Sequence, residues 1–353
     1  MSQSTLIEAL RRALAAAPPL APLAAARLEP LPGRGVAHDH FAAEGATLGG
    51  MEAVLRVPRL SQWGMAPERQ LAYEAAAFAR AAPSGTTPRF LGVIPAQPDL
   101  PMGALVVERI HGAKPALPRD MAALARSLAR IHALPVPDAG ARAPLLVHAD
   151  PVAETLKAIR EQASFVREAG LAPTAAAAIQ AELARAESHA MTARPPPVLA
   201  LTGTDTHPGN FLVERGGRAV FVDLEKALYG NPAVDLAHAT LYTSTMWDPD
   251  CAARLAPAEV ADFHAAYFDS VTPELAAAVK PWVRPMRRLI WLRTLTWCVR
   301  WRVLSRREGG WSKERLAPDH AAHIERTVED YVDPDRIASI RDGLDSEAEP
   351  FPA

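Results

Sequence analysis

Three oxygen-bearing side chains stand within a short stretch of the chain, at Asp205, Asn210 and Asp223. Between the second and the third, residues 211–213 and 219–222 are apolar and flank a turn that contains two glycines. This pattern predicts a tight β-hairpin. Because a hairpin returns the chain to the end where it started, Asn210 and Asp223 are expected to face each other at its open end.

Amide and carboxylate oxygens suit a hard cation such as Mg²⁺, which also keeps water and substrate phosphate among its ligands. Asn210 and Asp223 are therefore predicted metal ligands. Asp205 is left to orient a substrate hydroxyl or to accept its proton, which is the division of roles found in kinases that use ATP and Mg²⁺. The spacing of Asp205 and Asn210 also occurs by chance in many proteins, so the surrounding motifs decide the assignment.

Longer motifs surround these residues: T-D-T-H-P-G-N-F-L-V at 204–213, F-V-D-L-E at 221–225 and G-N-P-A-V-D-L-A at 230–237. They resemble the aminoglycoside phosphotransferase and choline kinase-like family of small-molecule kinases. That family usually shows H-G-D-x-H-P-G-N, followed by I-D-x-x-x-A-x-x-G-D-P-A-x-D-L-A. Segments 105–112 and 124–135 are also similar to it. The resemblance extends from about residue 28 to about residue 245.

The resemblance implies an α+β, protein-kinase-like fold with two lobes. Residues 1–107 are expected to form a nucleotide-binding lobe with a small antiparallel sheet, and residues 1–27 of this lobe are expected to form a helix and linker. Residues 108–112 are the expected hinge, and 113–353 the mainly helical lobe that carries catalysis and acceptor binding. A chain of 353 residues is long enough for two such lobes. Two alanine-rich helices within 150–194 are expected to wall the acceptor side.

Kinases grip the ATP phosphates with a cation on a strand of the first lobe, and this cation is normally lysine. The chain has no lysine before Lys114. Arg56 is predicted to replace it, because arginine binds phosphate bidentately, and Arg59 is the competing candidate. Glu74 is the expected partner of this arginine, ahead of Glu68, which stands near a helix start where a carboxylate interacts with the helix dipole.

The remaining nucleotide contacts are predicted from backbone. Gly33 and Gly35 form a G-x-G between two strand-like segments, which would let backbone amides approach phosphate closely. An ordinary hairpin turn is the alternative for these glycines. The resemblance places the backbone of the hinge, at Glu108 and Ile110, against the adenine.

Within the main motif, the resemblance implies that His207 and Glu225 support the metal site, while a solvated or capping Glu225 is the alternative. It also implies that Asp235 braces the catalytic loop by accepting backbone hydrogen bonds. The chain departs from the family pattern at two loop positions, with Gly203 for the usual histidine and Thr204 for the usual glycine. This change is expected to affect the rigidity of the loop and not its chemistry. Another departure is asparagine at 231, where the family usually has aspartate.

Composition excludes several classes of function. A net charge of −2 predicts no general attraction to nucleic acid or to anionic lipid. No stretch approaches the roughly 20 apolar residues that a membrane-spanning helix needs. Cys251 and Cys298 cannot build a disulfide framework, so a reducing cytoplasm is the expected setting. The sequence does not specify an oligomeric state.

An arginine- and tryptophan-rich segment at 284–302 carries Arg293 and Trp297 on one side of a predicted helix. The acidic net charge favours a buried helix whose arginines pair with local acids over a nucleic-acid patch. Arginines that reach the cleft would favour an acceptor with an acidic or phosphate group. Asp248 and Asp250 lining the cleft would instead favour a cationic acceptor.

These observations predict an ATP- and Mg²⁺-dependent kinase that phosphorylates a hydroxyl of a small molecule. Two alternatives stay open: a choline-, ethanolamine- or homoserine-type metabolite kinase of the same fold, and a catalytically silent nucleotide-binding protein. The silent protein is disfavoured because Asp205, Asn210 and Asp223 are all present. A protein kinase is disfavoured because the motif at 232–237 follows Asp223 too closely to leave an activation segment.

Overall fold

The first part of the chain forms an antiparallel β-sheet. The computed structural model describes residues 3–31, 37–61, 63–190, 195–309, 316 and 318–346. Within these ranges the sheet has five strands, β1 Arg27–Pro30, β2 His38–Glu44, β3 Ala53–Pro58, β4 Phe90–Ile94 and β5 Ala104–Glu108. Their order is β1-β2-β3-β5-β4, and every neighbouring pair is antiparallel.

Both faces of the sheet are covered by helix. Helix α1 (Gln3–Ala16) packs on the face that carries Leu55, and helix α2 (Pro67–Ala81) packs on the face that carries Val54. All six residues of β3 are buried, because β3 lies between β2 and β5 and both faces of the sheet are covered. Arg56 shares the face of Val54 because side chains alternate along a strand. The sheet therefore holds a buried charge on the side that faces the rest of the chain.

The rest of the chain is mainly helical. The described helices are α3 Met121–His132, α4 Pro151–Ala163, α5 Pro173–Ala190, α6 Ala233–Thr240, α7 Tyr242–Thr245, α8 Pro257–Phe268, α9 Pro273–Leu304, α10 Pro318–Val332 and α11 Pro334–Ser346. Many begin with proline, whose fixed φ and missing N–H suit the first turn of a helix. The long helix α9 packs against both α4 and α6, so the arginine-rich segment lies in the interior of this helical part.

Two short antiparallel ribbons join the sheet to the helices. They pair β6 (Ala200–Thr202) with β9 (Leu228–Gly230), and β7 (Phe211–Val213) with β8 (Ala219–Phe221). In the second ribbon Phe211 lies opposite Phe221, and Gly217 adopts a φ of +77° in the turn, a conformation that glycine reaches at little cost. Where the ribbon opens, the N–H of Val222 donates to the carbonyl of Asn210 at 2.9 Å. The predicted hairpin is thus present and brings its two ends together.

The arrangement agrees with the predicted α+β class, with a small antiparallel sheet followed by a mainly helical part. The lobe boundaries at 107, 108–112 and 113 stay a prediction. Gly33 and Gly35 lie outside the described residues. Among the helices that the structure describes, none combines the length and the apolar character needed to cross a bilayer.

Candidate active site

Asp205 lies in the loop between β6 and β7, at residues 203–210, which we call the catalytic loop because it carries the predicted catalytic residue. Lys226 Nζ donates to Asp205 Oδ2 at 2.7 Å, and His238 Nε2 lies 3.7 Å from Asp205 Oδ1. Burial opposes ionisation of Asp205, but the charge of Lys226 and its hydrogen bond outweigh burial and hold the pKa of Asp205 well below the ordinary range. Asp205 is therefore a carboxylate that accepts hydrogen bonds and is a weak base at rest.

Asn210 and Asp223 present oxygen atoms at the open end of the β7–β8 ribbon. Asn210 Nδ2 donates to the backbone carbonyl of Asp205 at 2.8 Å, which leaves the amide oxygen Oδ1 as the atom available to a metal. Asp223 Oδ1 accepts a hydrogen bond from Arg56 at 2.7 Å, and the side chain of Asp223 is 24% exposed. One amide oxygen and one partly exposed carboxylate form a donor set that suits Mg²⁺.

Asp235, in the first turn of α6, holds the catalytic loop in place. Its Oδ2 accepts hydrogen bonds from the N–H of Gly203 at 2.7 Å and from His132 Nε2 at 3.0 Å, and its Oδ1 accepts from the N–H of Thr204 at 2.7 Å. Thr206 Oγ1 also donates to the backbone carbonyl of Asp235 at 2.8 Å. Asp235 is fully buried, so these bonds hold the backbone just before Asp205 in place.

The two departures from the family motif have structural consequences at Gly203 and Thr204. A Cβ at Gly203 would lie 2.6 Å from the ring of Phe221, so the usual histidine has no room in this arrangement. Thr204 adopts a φ of +58°, a conformation that costs a non-glycine residue roughly 1–3 kcal/mol. Its hydroxyl donates to the carbonyl of Lys226 at 2.9 Å, which offsets part of this cost and ties the loop to the segment after β8.

A buried cluster of charged side chains lies beside Asp223. Arg56 donates from Nη2 to Asp223 and from Nη1 to the carbonyl of Val222, the latter at 3.1 Å. Glu74 is instead paired with His38, whose Nε2 lies 3.2 Å from Glu74 Oε2. This differs from the predicted Arg56–Glu74 pair, because His38 shares the sheet face of Arg56 and lies next to Glu74. Burial lowers the pKa of Arg56, but the charges of Asp223 and Glu74 more than compensate and raise it.

Glu225 lies on the far side of His38, whose Nδ1 is 3.4 Å from Glu225 Oε2. Burial and the neighbouring charge of Asp223 raise the pKa of Glu225 to about 7. The side chain is therefore buried and not solvated, which sets aside the solvated alternative. It lies behind Asp223, the predicted metal ligand.

The competing arginine, Arg59, occupies a different environment. Its Nη1 lies 3.4 Å from Asp39 Oδ1, and its side chain is 36% exposed, against 5% for Arg56. Arg59 lies just beyond the end of β3, whereas Arg56 contacts Asp223 directly. The geometry therefore favours Arg56 as the phosphate-binding arginine.

The predicted hinge runs between the sheet and the β7–β8 ribbon. Glu108 is the last residue of β5, and Ile110 follows it in a half-buried position. Ala113 then pairs with Val213 of β7 through two backbone hydrogen bonds, at 3.0 and 2.8 Å. The segment is thus anchored at both ends beside the catalytic loop, which is the place a nucleotide-binding connector requires.

A second lysine steadies the catalytic loop from its other side. Lys114 Nζ lies 3.1 Å from Asp248 Oδ2 and also donates to the carbonyl of Gly209. A Cβ at Gly209 would lie 2.5 Å from Asp248 Oδ2, so a glycine is needed for this close approach. His207 lies in the same region, and burial lowers its pKa. The negative charge of Asp248 is therefore neutralised by Lys114.

Sequence reasoning does not identify Lys226, His238 or Lys114 as parts of the site. The available signal for Lys226 is its position directly after the D-L-E motif, on the chain that leaves Asp223. His238 stands three residues after Asp235 on α6, and residues at that spacing share a helix face. Lys114 gives no comparable signal, because its contacts are made to residues about a hundred positions away.

Comparison with known proteins finds one family model that matches the sequence. The family model described as "Phosphotransferase enzyme family" matches residues 28–282. No curated protein matches the sequence significantly.

Solved structures show the same fold at low sequence identity. A choline/ethanolamine kinase family protein from Mesorhizobium loti is 20% identical, with a TM-score of 0.51, covering 92% of this chain and 99% of its own. The ethanolamine kinase of Plasmodium vivax is 11% identical, with a TM-score of 0.60 and coverages of 97% and 90%. A spectinomycin phosphotransferase, solved with ADP and spectinomycin, is 14% identical, with a TM-score of 0.55 and coverages of 88% and 93%. The kinase-like two-lobed fold is thereby confirmed.

Proposed function

Because the chain belongs to the phosphotransferase enzyme family, we propose that it transfers the γ-phosphoryl group of ATP to a hydroxyl of a small molecule, with Mg²⁺. One observation carries the proposal. The side chain of Asn210 bonds to the backbone of Asp205, while the backbone of Asn210 pairs with Val222, next to Asp223. The three predicted residues thus meet at one place, as phosphoryl transfer requires.

The nucleotide assignment is supported by the solved relatives, since spectinomycin phosphotransferase was solved with ADP and an amicoumacin kinase with AMP-PNP and Ca²⁺. Asn210 Oδ1 and Asp223 would hold Mg²⁺. When bound, the ion neutralises charge on the phosphates of ATP. A cytoplasmic location is part of the proposal, since ATP is the phosphoryl donor.

The protein's own residues perform the remaining work. Asp205 accepts a hydrogen bond from the acceptor hydroxyl and aligns its oxygen with the γ-phosphorus. A bond forms between that oxygen and the phosphorus while the bond from the phosphorus to the β,γ-bridging oxygen breaks. The hydroxyl proton passes to Asp205, and ADP leaves. Lys226, which donates to Asp205 Oδ2, keeps this carboxylate ionised and fixed before transfer.

The experiment that tests this proposal has two parts. Thermal shift with ATP plus Mg²⁺ is expected to exceed the shift with ATP alone, because two ligand atoms of the ion come from the protein. Acceptor-dependent ADP release is then measured with aminoglycosides, choline, ethanolamine, homoserine, sugars and hydroxy acids. Nucleotide binding without ADP release from any acceptor would favour the silent nucleotide-binding protein.

Arg56→Ala is expected to raise the KM for ATP by about ten- to a hundredfold, the range for losing a charged hydrogen bond. Arg56→Lys keeps the charge at the usual family position of a lysine and is expected to be milder. Arg59→Ala serves as the matched control, because Arg59 is more exposed and pairs with Asp39. A severe effect of Arg59→Ala together with a mild effect of Arg56→Ala would transfer the role to Arg59. Thermal melting of each variant separates phosphate binding from loss of the Arg56–Asp223 contact.

A further inference from the structure

A small cavity lies directly behind the catalytic loop. Its volume is about 50 Å³, and its wall includes Thr204 and Asn231 together with Arg293 from α9, and His148 and Thr155 from the region of α4. A volume of this size holds about three or four water-sized groups, so it accommodates one functional group of a ligand and not a whole substrate. None of the described residues that line it carries a carboxylate.

Arg293 gives the cavity its positive charge. Its Nη2 donates to the carbonyl of Thr204 at 3.2 Å, and no ion pair joins it to any other part of the chain that the structure describes. Burial lowers the pKa of Arg293, and the charges of Asp205 and Asp235 only partly oppose this effect. The guanidinium thus has donors to spare and lacks a counter-ion of its own.

Asn231 supplies a second donor. It is fully buried, and its Oδ1 accepts from the N–H of Ala233 at 2.9 Å. Its Nδ2 has no hydrogen-bond partner among the described residues. A buried amide without a partner is costly, and Asn231 lies in the cavity wall, so an acceptor group in the cavity is the candidate partner of Nδ2. The family usually has aspartate at this position, so asparagine also removes a negative charge from the wall.

Asp248, one of the acidic residues that would favour a cationic acceptor, does not offset this charge. Asp248 is paired with Lys114 and packs against the catalytic loop. Asp205 follows Thr204 directly, and consecutive Cα atoms lie about 3.8 Å apart. The charge of Asp205 also acts on Arg293, so a short molecule with one end in the cavity would bring its hydroxyl to the side of Asp205.

We propose that the acceptor is a small hydroxy acid whose carboxylate binds in this cavity, between Arg293 and Asn231. The inference rests on the proposed function and adds the substrate class to it. The guanidinium and the amide supply N–H donors to the two carboxylate oxygens. The hydroxyl then lies a few bonds away, on the side of Asp205. An amino alcohol would instead bring an ammonium group towards Arg293, which like-charge repulsion disfavours.

The test measures binding of matched probes to the full chain by calorimetry, with ADP and Mg²⁺ present. Glycerate, glycerol and ethanolamine share short hydroxylated skeletons and differ in charge. Glycerate is expected to bind at least about tenfold more tightly than the other two, the least effect of one charged hydrogen bond. Arg293→Gln and Asn231→Asp are each expected to remove this preference. Asn231→Asp keeps an oxygen for the N–H of Ala233, so a folded protein is expected.

Arg284→Gln is the control, because Arg284 lies on the exposed side of the same helix, α9. It should leave glycerate binding unchanged. Equal binding of glycerate and glycerol, tighter binding of ethanolamine, or glycerate binding that survives both cavity substitutions would overturn the inference. No binding of any probe would overturn it as well.

The same variants separate this inference from the proposed function. Phosphorylation of a cationic acceptor, unaffected by Arg293→Gln, would leave the kinase assignment standing and end the hydroxy-acid assignment. Glycerate binding that depends on Arg293, without ADP release from any acceptor in the panel, would leave the anion site standing and contradict the kinase assignment.

Discussion

Asp205→Ala is expected to lower the kcat of acceptor-dependent ADP release by about a hundredfold to ten-thousandfold, the usual contribution of a positioned acid–base group. Asp205 is ionised and bonded to Lys226, and its backbone carbonyl accepts from Asn210. Alanine removes the carboxylate that aligns the acceptor hydroxyl and leaves the backbone contact in place. The KM for ATP is therefore expected to change much less than kcat.

Two variants sharpen this experiment. Asp205→Asn keeps the size of the side chain and removes its charge, so it should lose nearly as much kcat as alanine if proton acceptance matters. Asp262→Asn, at an exposed position of α8, makes the same chemical change away from the site and should be neutral. Unchanged ADP release in Asp205→Ala would contradict the proposed mechanism. Thermal melting of each variant shows whether exposing Lys226 has destabilised the fold.

The hairpin between Asn210 and Asp223 could be predicted closely because its signals are local. Two short apolar runs and a glycine turn define β7 and β8, and the observed strands end within one residue of the predicted limits. Register follows from the turn, so the approach of Asn210 to Val222 also follows. The local sequence pattern was sufficient here because Asn210 and Val222 belong to the same ribbon.

Contacts between distant segments were not predictable in the same way. Arg56 and Glu74 both lie in the buried cluster. The pattern of residues along the strands does not reveal that Glu74 pairs with His38 and that Arg56 pairs with Asp223. The contact of Arg293 with the catalytic loop was not predictable either, because the rotation of α9 about its axis decides which of its arginines reaches that loop. That helix continues through Pro281 and Pro285, where a sequence argument would expect a break. These choices depend on tertiary packing.

Asp235→Ala is expected to destabilise the fold by at least about 3 kcal/mol, because three buried donors lose their acceptor at roughly 1–3 kcal/mol each. The substitution leaves the N–H groups of Gly203 and Thr204 and the imidazole of His132 without their common acceptor. Thr204 holds a left-handed conformation next to Asp205, so the loop is expected to relax and kcat to fall as well.

Urea unfolding and ADP release measure the two effects of Asp235→Ala separately. Asp235→Asn tests the role of charge, because one of its two oxygens becomes an N–H donor that faces another donor, and its stability should lie between those of wild type and alanine. Asp262→Ala, exposed on α8, should change stability by less than about 0.5 kcal/mol. A stable Asp235→Ala variant with normal kcat would show that the loop is held by other contacts. Candidates for these are the bonds of Thr204 to Lys226 and of Arg293 to Thr204.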